Sequence, residues 1–158
     1  DASELLYYAI LQAQKNNDIT FYVRNHPVIP IETMFKLTGF NEELPNNMKI
    51  SENKTVLEDI EASDIVLYWG TTISLEAIIL GLPVIHYDRG DTLSYDPLFD
   101  LEDFKWKLNK NDNILETINE IVSLSEKEYY RLASSAKKYI LSYFHPVTDD
   151  SLSLFRGG

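Results

Sequence analysis

Two short stretches carry side chains suited to chemistry. The first is "WGTTISLE", residues 69–76, where a Gly, three hydroxyl residues and a glutamate separate an apolar run from an apolar helical one. Gly70 can adopt backbone angles closed to other residues and lets a ligand approach the main chain. Thr71, Thr72 and Ser74 stand at the first turn of a helix predicted to begin near Ile73. The free N–H groups and positive dipole end of such a turn favour a phosphate, and hydroxyls add donors. Thr71 or Thr72 acting only as the helix cap accounts for the same residues. Glu76 lies one turn into this helix. It either complements the macrodipole or accepts hydrogen bonds from a sugar hydroxyl pair, as an acidic residue does for ribose in dinucleotide folds.

The second stretch is "RNHP", residues 24–27, just past an apolar run. His26 sits between Arg24 and Pro27, and the proline ring fixes the direction of the chain. A histidine so placed donates to a phosphate oxygen, more strongly when protonated. A backbone hydrogen bond that closes the loop is the other reading. Asp88, Arg89 and Asp91 follow a later strand; Arg89 suits a phosphate or a sugar, and "DRGD" equally suits a turn. His86 falls in a buried strand and reads as a satisfied core histidine. His145, before Pro146, complements the end of the last long helix. No His/Asp/Glu spacing resembles a metal site, so no metal is expected. No Ser-His-Asp arrangement stands out, and "WGTTIS" lacks the second Gly of a nucleophile elbow. The acidic run "DPLFDLEDF", 96–104, reads as a solvated face.

The elements that must position these residues alternate. Helical spacing runs through "ELLYYAILQAQKN" (4–16) with Ser3 as its cap, then "ITFYV" (19–23) reads as a strand. A short helix over 31–38 and the strand "MKI" (48–50) follow. Thr55 and Glu58 form a capping-box pattern before a brief helix, and Ser125 and Glu128 another. "DIVLYW" (64–69), "ISLEAIIL" (73–80) and "PVIHY" (83–87) read as strand, helix, strand. The pattern weakens over 87–112. Helices over 113–124 and 125–144 close the chain, and the tail adds one last turn. This order predicts an α/β, Rossmann-like doubly wound parallel sheet with a helical C-terminus. The strands lack period-two alternation, as expected when both faces are covered. Ligands of such sheets sit beyond the carboxyl ends of the strands, where both chemical stretches fall.

The 158 residues suit one domain over 1–158, and no run nears the roughly 18 apolar residues of a membrane span. With 14 basic and 25 acidic residues the net charge is −11, which argues against nucleic acid as a partner. An anionic ligand must then be held by local dipoles. Cys is absent, which excludes a thiolate nucleophile and a Cys-based metal site. The chain begins at Asp1 and is expected to be a piece of something longer.

The order strand, "RNHP" (24–27), then "ASDIVLYWGTTISLEAIILGLPVI" (62–85) resembles the C-terminal, donor-binding half of GT-B glycosyltransferases of bacterial surface-polysaccharide biosynthesis. The resemblance spans about residues 4 to 143. It implies that His26 contacts the donor phosphate or departing nucleotide as the catalytic group, that Thr71 and Thr72 hold the phosphate and that Glu76 holds the ribose. Arg24, Pro27, Gly70, Ser74 and Arg89 complete the expected nucleotide-binding set. It implies no cofactor beyond a CMP-, CDP- or UDP-linked sugar donor. The first strand and an N-terminal acceptor domain would lie outside this chain, so the piece alone would bind a nucleotide and catalyse little. A cytoplasmic protein, associated at the membrane's inner face through lipid-linked acceptors, is the expected setting. "GTTISLEAIILGLPVIHYDRGDT" is also similar to UDP-N-acetylglucosamine 2-epimerases, although Leu75 replaces the first of their paired glutamates. A non-catalytic protein-interaction domain is the third reading.

Overall fold

The computed structural model describes residues 2–24, 28–90 and 95–143. His26, Pro27, Asp91 and His145, with the turn expected of the tail, lie outside the described residues. The elements are α1 (Ala2–Lys15), β1 (Phe21–Val23), α2 (Ile31–Thr38), β2 (Met48–Ile50), α3 (Val56–Glu61), β3 (Val66–Tyr68), α4 (Ile73–Ile79), β4 (Val84–Tyr87), β5 (Lys105–Leu108), α5 (Ile114–Val122) and α6 (Glu126–Tyr143). The fold is α/β, with parallel strands in two small sheets, β1-β2 and β3-β4-β5, and a helical C-terminus. Among the described residues no ladder joins β1 to β3.

Strand β4 shows why the apolar runs do not alternate. Val84 and Ile85 are both fully buried but go to opposite layers. Val84 packs with Ile78 of α4 and Ile140 of α6, whereas Ile85 packs with Tyr8 of α1 and Ile114 of α5. Successive side chains of a strand point to opposite faces, so a strand covered on both must be apolar throughout. The β1-β2 pair differs. Phe21, Val23 and Met48 face Leu6, Ile10, Ala13 and Met34 of α1 and α2. On the other face Tyr22 is exposed, with the Lys49 ammonium 6.0 Å from its ring centre.

The termini follow the expected capping chemistry in part. Thr55 and Glu58 form the complete box at α3. At α6 the Ser125 hydroxyl accepts from the Glu128 N–H, but the Glu128 carboxylate turns to Arg131, so only half the box forms. Ser3 lies within the first turn of α1 rather than before it. Asn113 caps α5 by accepting from the Leu115 N–H.

The weak segment hides β5. Phe104 enters it with φ of 62°, a conformation that costs an L residue about 1–2 kcal/mol. Its buried ring is held edge-on by Tyr129 at 4.9 Å. The run 96–104 is therefore not the solvated face the sequence suggests: Asp96, Leu98, Leu101 and Phe104 are all buried.

The two-layer burial of β4 sets an expected cost. Ile85→Ala should lower unfolding free energy by about 2–5 kcal/mol in urea denaturation, while Tyr22→Thr should stay within about 0.5 kcal/mol. Equal effects would mean that the β1-β2 face is covered as well.

Candidate functional site

Strand β3 stops at Tyr68, and the chain turns through Gly70 at φ 56° into α4. The left-handed angle favours glycine here, and the space is tight, since a methyl group on Gly70 would lie 3.2 Å from the Tyr95 Cβ. Gly70, Thr72 and Glu76 are exposed. Thr72 occupies the N-cap position of α4 but makes no side-chain capping bond. Thr71 supplies only a long contact, 3.5 Å from the Ile73 N–H. Capping alone thus accounts poorly for the two threonines. The Glu76 carboxylate takes no hydrogen bond or ion pair among the described residues, and it shares a helix face with Thr72 four positions back. Ser74 departs from expectation. It is fully buried, and its hydroxyl donates to the Thr71 carbonyl at 2.9 Å, so it shapes the turn instead of facing a ligand.

The two arginines are engaged. Arg24 ion-pairs with Asp59 and donates to the carbonyls of Thr55 (2.9 Å), Lys54 (3.3 Å) and Asn53 (3.4 Å). It thereby clamps the start of α3 to the end of β1. Burial works against ionisation of Asp59, but hydrogen bonds from Ser51, Arg24 and Asn53 outweigh it and hold the carboxyl below its ordinary value. Arg89, past β4, binds Glu4 of α1 through two hydrogen bonds of 2.6 and 3.0 Å. Its guanidinium lies 5.7 Å from the Trp69 ring centre, which brings it to the residue beside Gly70. Asp88 accepts from the Gly90 N–H at 2.8 Å, the turn chemistry anticipated for "DRGD". The structure thus gathers Gly70, Thr71 and Thr72 at the β3–α4 junction with Glu76 one turn on, places Arg89 over the neighbouring Trp69 ring, and ties Arg24 to α3.

Sequence reasoning missed what lies beneath. Asp96, 5% exposed, accepts at Oδ1 from the Tyr68 hydroxyl (2.6 Å) and the Leu98 N–H (2.9 Å). Its Oδ2 receives the Lys105 ammonium at 3.0 Å. Lys105 also donates to the Leu98 carbonyl. Burial raises the Asp96 pKa, but the bonds from Tyr68, Leu98 and Lys105 overcome it, so the net shift is downward. His86 lies beside this group, 7% exposed, with Nδ1 3.8 Å from Asp96 Oδ2 and no hydrogen-bond partner. It is not the satisfied core histidine anticipated. Desolvation pushes its pKa down, against the pull of Asp96 and Asp88 and with the push of Lys105 and Lys107. Tyr95, 63% exposed, stands over the Gly70 turn with its ring 5.8 Å from Trp69. The one sequence signal for this network was an Asp-Pro step inside a run containing buried leucines.

Among the described residues no group of three or more His, Asp or Glu could hold a metal ion, and no helix is long and apolar enough to cross a membrane.

Two outcomes are expected. Lys105→Ala removes the ammonium from a buried carboxylate oxygen and should cost about 3–5 kcal/mol of stability in urea denaturation. Acid should also destabilise the fold. The unfolded chain takes up a proton on His86 near pH 6.5, which the folded chain resists, so stability falls as pH drops below that value. Asp96, depressed in the folded state, adds a second loss below its ordinary 3.8. His86→Gln should remove the first loss and leave the second; a flat profile between about pH 7 and 5 in the parent would contradict it.

No protein-family model matches the chain, and neither a curated protein nor a solved structure does.

Proposed function

We propose that this chain is the nucleotide-sugar-binding domain of a GT-B glycosyltransferase of bacterial surface-polysaccharide biosynthesis. The observation that carries the reading is the pair Thr72 and Glu76: an uncapped hydroxyl and an unpartnered carboxylate on one face of α4, directly after a left-handed glycine. The helix start and Thr71 and Thr72 would take the donor phosphate, and Glu76 the ribose. His26, with Pro27 directing it, would stabilise charge on the departing nucleotide. Arg24 would act indirectly, by fixing the end of β1 from which that loop departs.

The same reading treats the two small sheets as parts of one Rossmann-like, doubly wound sheet in the order β2-β1-β3-β4-β5. Phe21 of β1 supports it, since it packs in one cluster with Ile65 just before β3, Leu67 of β3 and Ile85 of β4. An N-terminal acceptor domain on the same full-length protein would supply the acceptor and the catalytic base, at the inner face of the membrane. The donor would be CMP-, CDP- or UDP-linked.

Calorimetric titration with CMP, CDP, UDP and ADP tests this. One nucleotide should bind saturably. Thr72→Val and His26→Ala, each removing a hydrogen bond to a charged phosphate, should each cost about 1.5–3 kcal/mol, roughly ten- to a hundredfold in Kd. Glu76→Ala should weaken binding of the ribonucleotide but not of its 2′,3′-dideoxy analogue. Binding indifferent to all three substitutions would sink the site assignment.

A further inference from the structure

The buried network and the exposed turn are connected twice. Asp96 Oδ1 takes the Tyr68 hydroxyl, and Tyr68, the last residue of β3, leads through Trp69 directly into Gly70. Asp96 is also covalently next to Tyr95, which packs close against Gly70: a methyl placed there would lie 3.2 Å from the Tyr95 Cβ. A shift of the Asp96 carboxylate has both routes to the Gly70 turn.

One group is set to cause that shift. His86 Nδ1 is buried without a partner, and an orphaned buried nitrogen of this kind carries a desolvation penalty that calls for an explanation. It faces Asp96 Oδ2 across 3.8 Å, too far for a hydrogen bond, and that oxygen already holds the Lys105 ammonium. With His86 neutral, Asp96 and Lys105 balance. A proton on His86 adds a second cation to one buried oxygen. Closing to the roughly 2.8 Å of a charge-assisted bond needs about 1 Å of movement by ring or carboxylate.

We propose that Asp96 is the positioning residue of the Gly70 turn, and that protonation of His86 displaces Asp96 and so releases the turn. The groups facing the imidazole are Tyr68 from β3, Asp88 from the end of β4, Lys105 and Lys107 from β5, and Asp96 itself; from α6, Tyr139 acts on Asp96. The two aspartates favour the proton, whereas the two lysines and burial oppose it. Release therefore belongs to the acid side of neutrality, and the turn is held at pH 7 and above. That this gates ligand occupancy rests on the reading of the turn as the nucleotide site.

Trp69 reports the turn directly. The chain has two tryptophans, so a Trp106→Phe background isolates its emission. Between about pH 8 and pH 5 the emission should follow a single transition below about pH 6.5. His86→Gln should abolish that transition. Tyr68→Phe, which keeps the imidazole but cuts the bond between the end of β3 and Asp96, should shrink the Trp69 change while the imidazole still titrates by NMR. Should His86→Gln unfold, as judged by circular dichroism, Tyr68→Phe decides alone. Flat parent emission, or a transition unmoved by both substitutions, overturns the inference. Titration with the best-binding nucleotide separates the two readings. Affinity should fall by up to about tenfold per pH unit below the transition, the limit for one linked proton. A Trp69 transition lost in His86→Gln with no nucleotide bound keeps the positioning role and rejects the proposed function. Nucleotide binding beside a flat Trp69 signal does the reverse.

Discussion

A carboxylate with 5% of its surface exposed must be neutralised where it stands, and Asp96 sets the geometry of the strand ends around it. Its two oxygens draw on three separate parts of the chain: the phenol at the end of β3, the turn at Leu98, and the first residue of β5. Lys105 can lie with 1% of its side chain exposed only because that carboxylate and the Leu98 carbonyl receive it. Remove the carboxylate and the lysine has to leave, taking the start of β5 with it. The third strand of the larger sheet is thus tied to a polar contact as much as to the leucine and tryptophan that follow.

A second polar knot, Arg24 with Asp59, closes the end of β1 against α3, and the two differ in weight. Arg24 retains 30% of its side-chain exposure, so solvent screens the pair, and its several carbonyl contacts matter more than the charge. The Asp96 pair lies in a dry region where loss of one partner strands the other. The Arg24 knot sits just past the carboxyl end of β1, whereas the Asp96 knot joins the carboxyl end of β3 to the first residue of β5. The backbone there is therefore held by side chains instead of by further ladder, which leaves its exposed turns set in position but open on one side.

Most of the strands were legible because both-face burial writes itself as unbroken apolar runs, as in "DIVLYW" and "PVIHY". Thr55 with Glu58 announced α3 by spacing alone, since both halves of that box are local. β5 was not legible. Its charged Lys105 and Lys107 look like surface residues, and the left-handed Phe104 that starts it leaves no trace in composition. Asp96 was hidden for the same reason: its partners lie 28 and 9 positions away, and no local pattern records a pairing made only in the folded chain. Around the candidate site the glycine, the threonines and the glutamate were visible as types. That Ser74 points inward follows from the handedness of the Gly70 turn, which the sequence does not state.

The net charge of −11 makes any anion at this edge depend on local donors, so the availability of the two arginines matters. Arg24 is held by an ion pair and three carbonyls, and moving it would unmake the start of α3. Arg89 is paired with a Glu4 whose side chain is half exposed, and surface pairs of that kind contribute only about 0–1 kcal/mol. A phosphate offers the guanidinium the same two-point contact with more charge. Under the proposed reading a phosphate would compete with Glu4 for this guanidinium, and Trp69, 5.7 Å from it, would hold it in place through the exchange. Of the two arginines, the one over Trp69 is the one that reading assigns to the ligand.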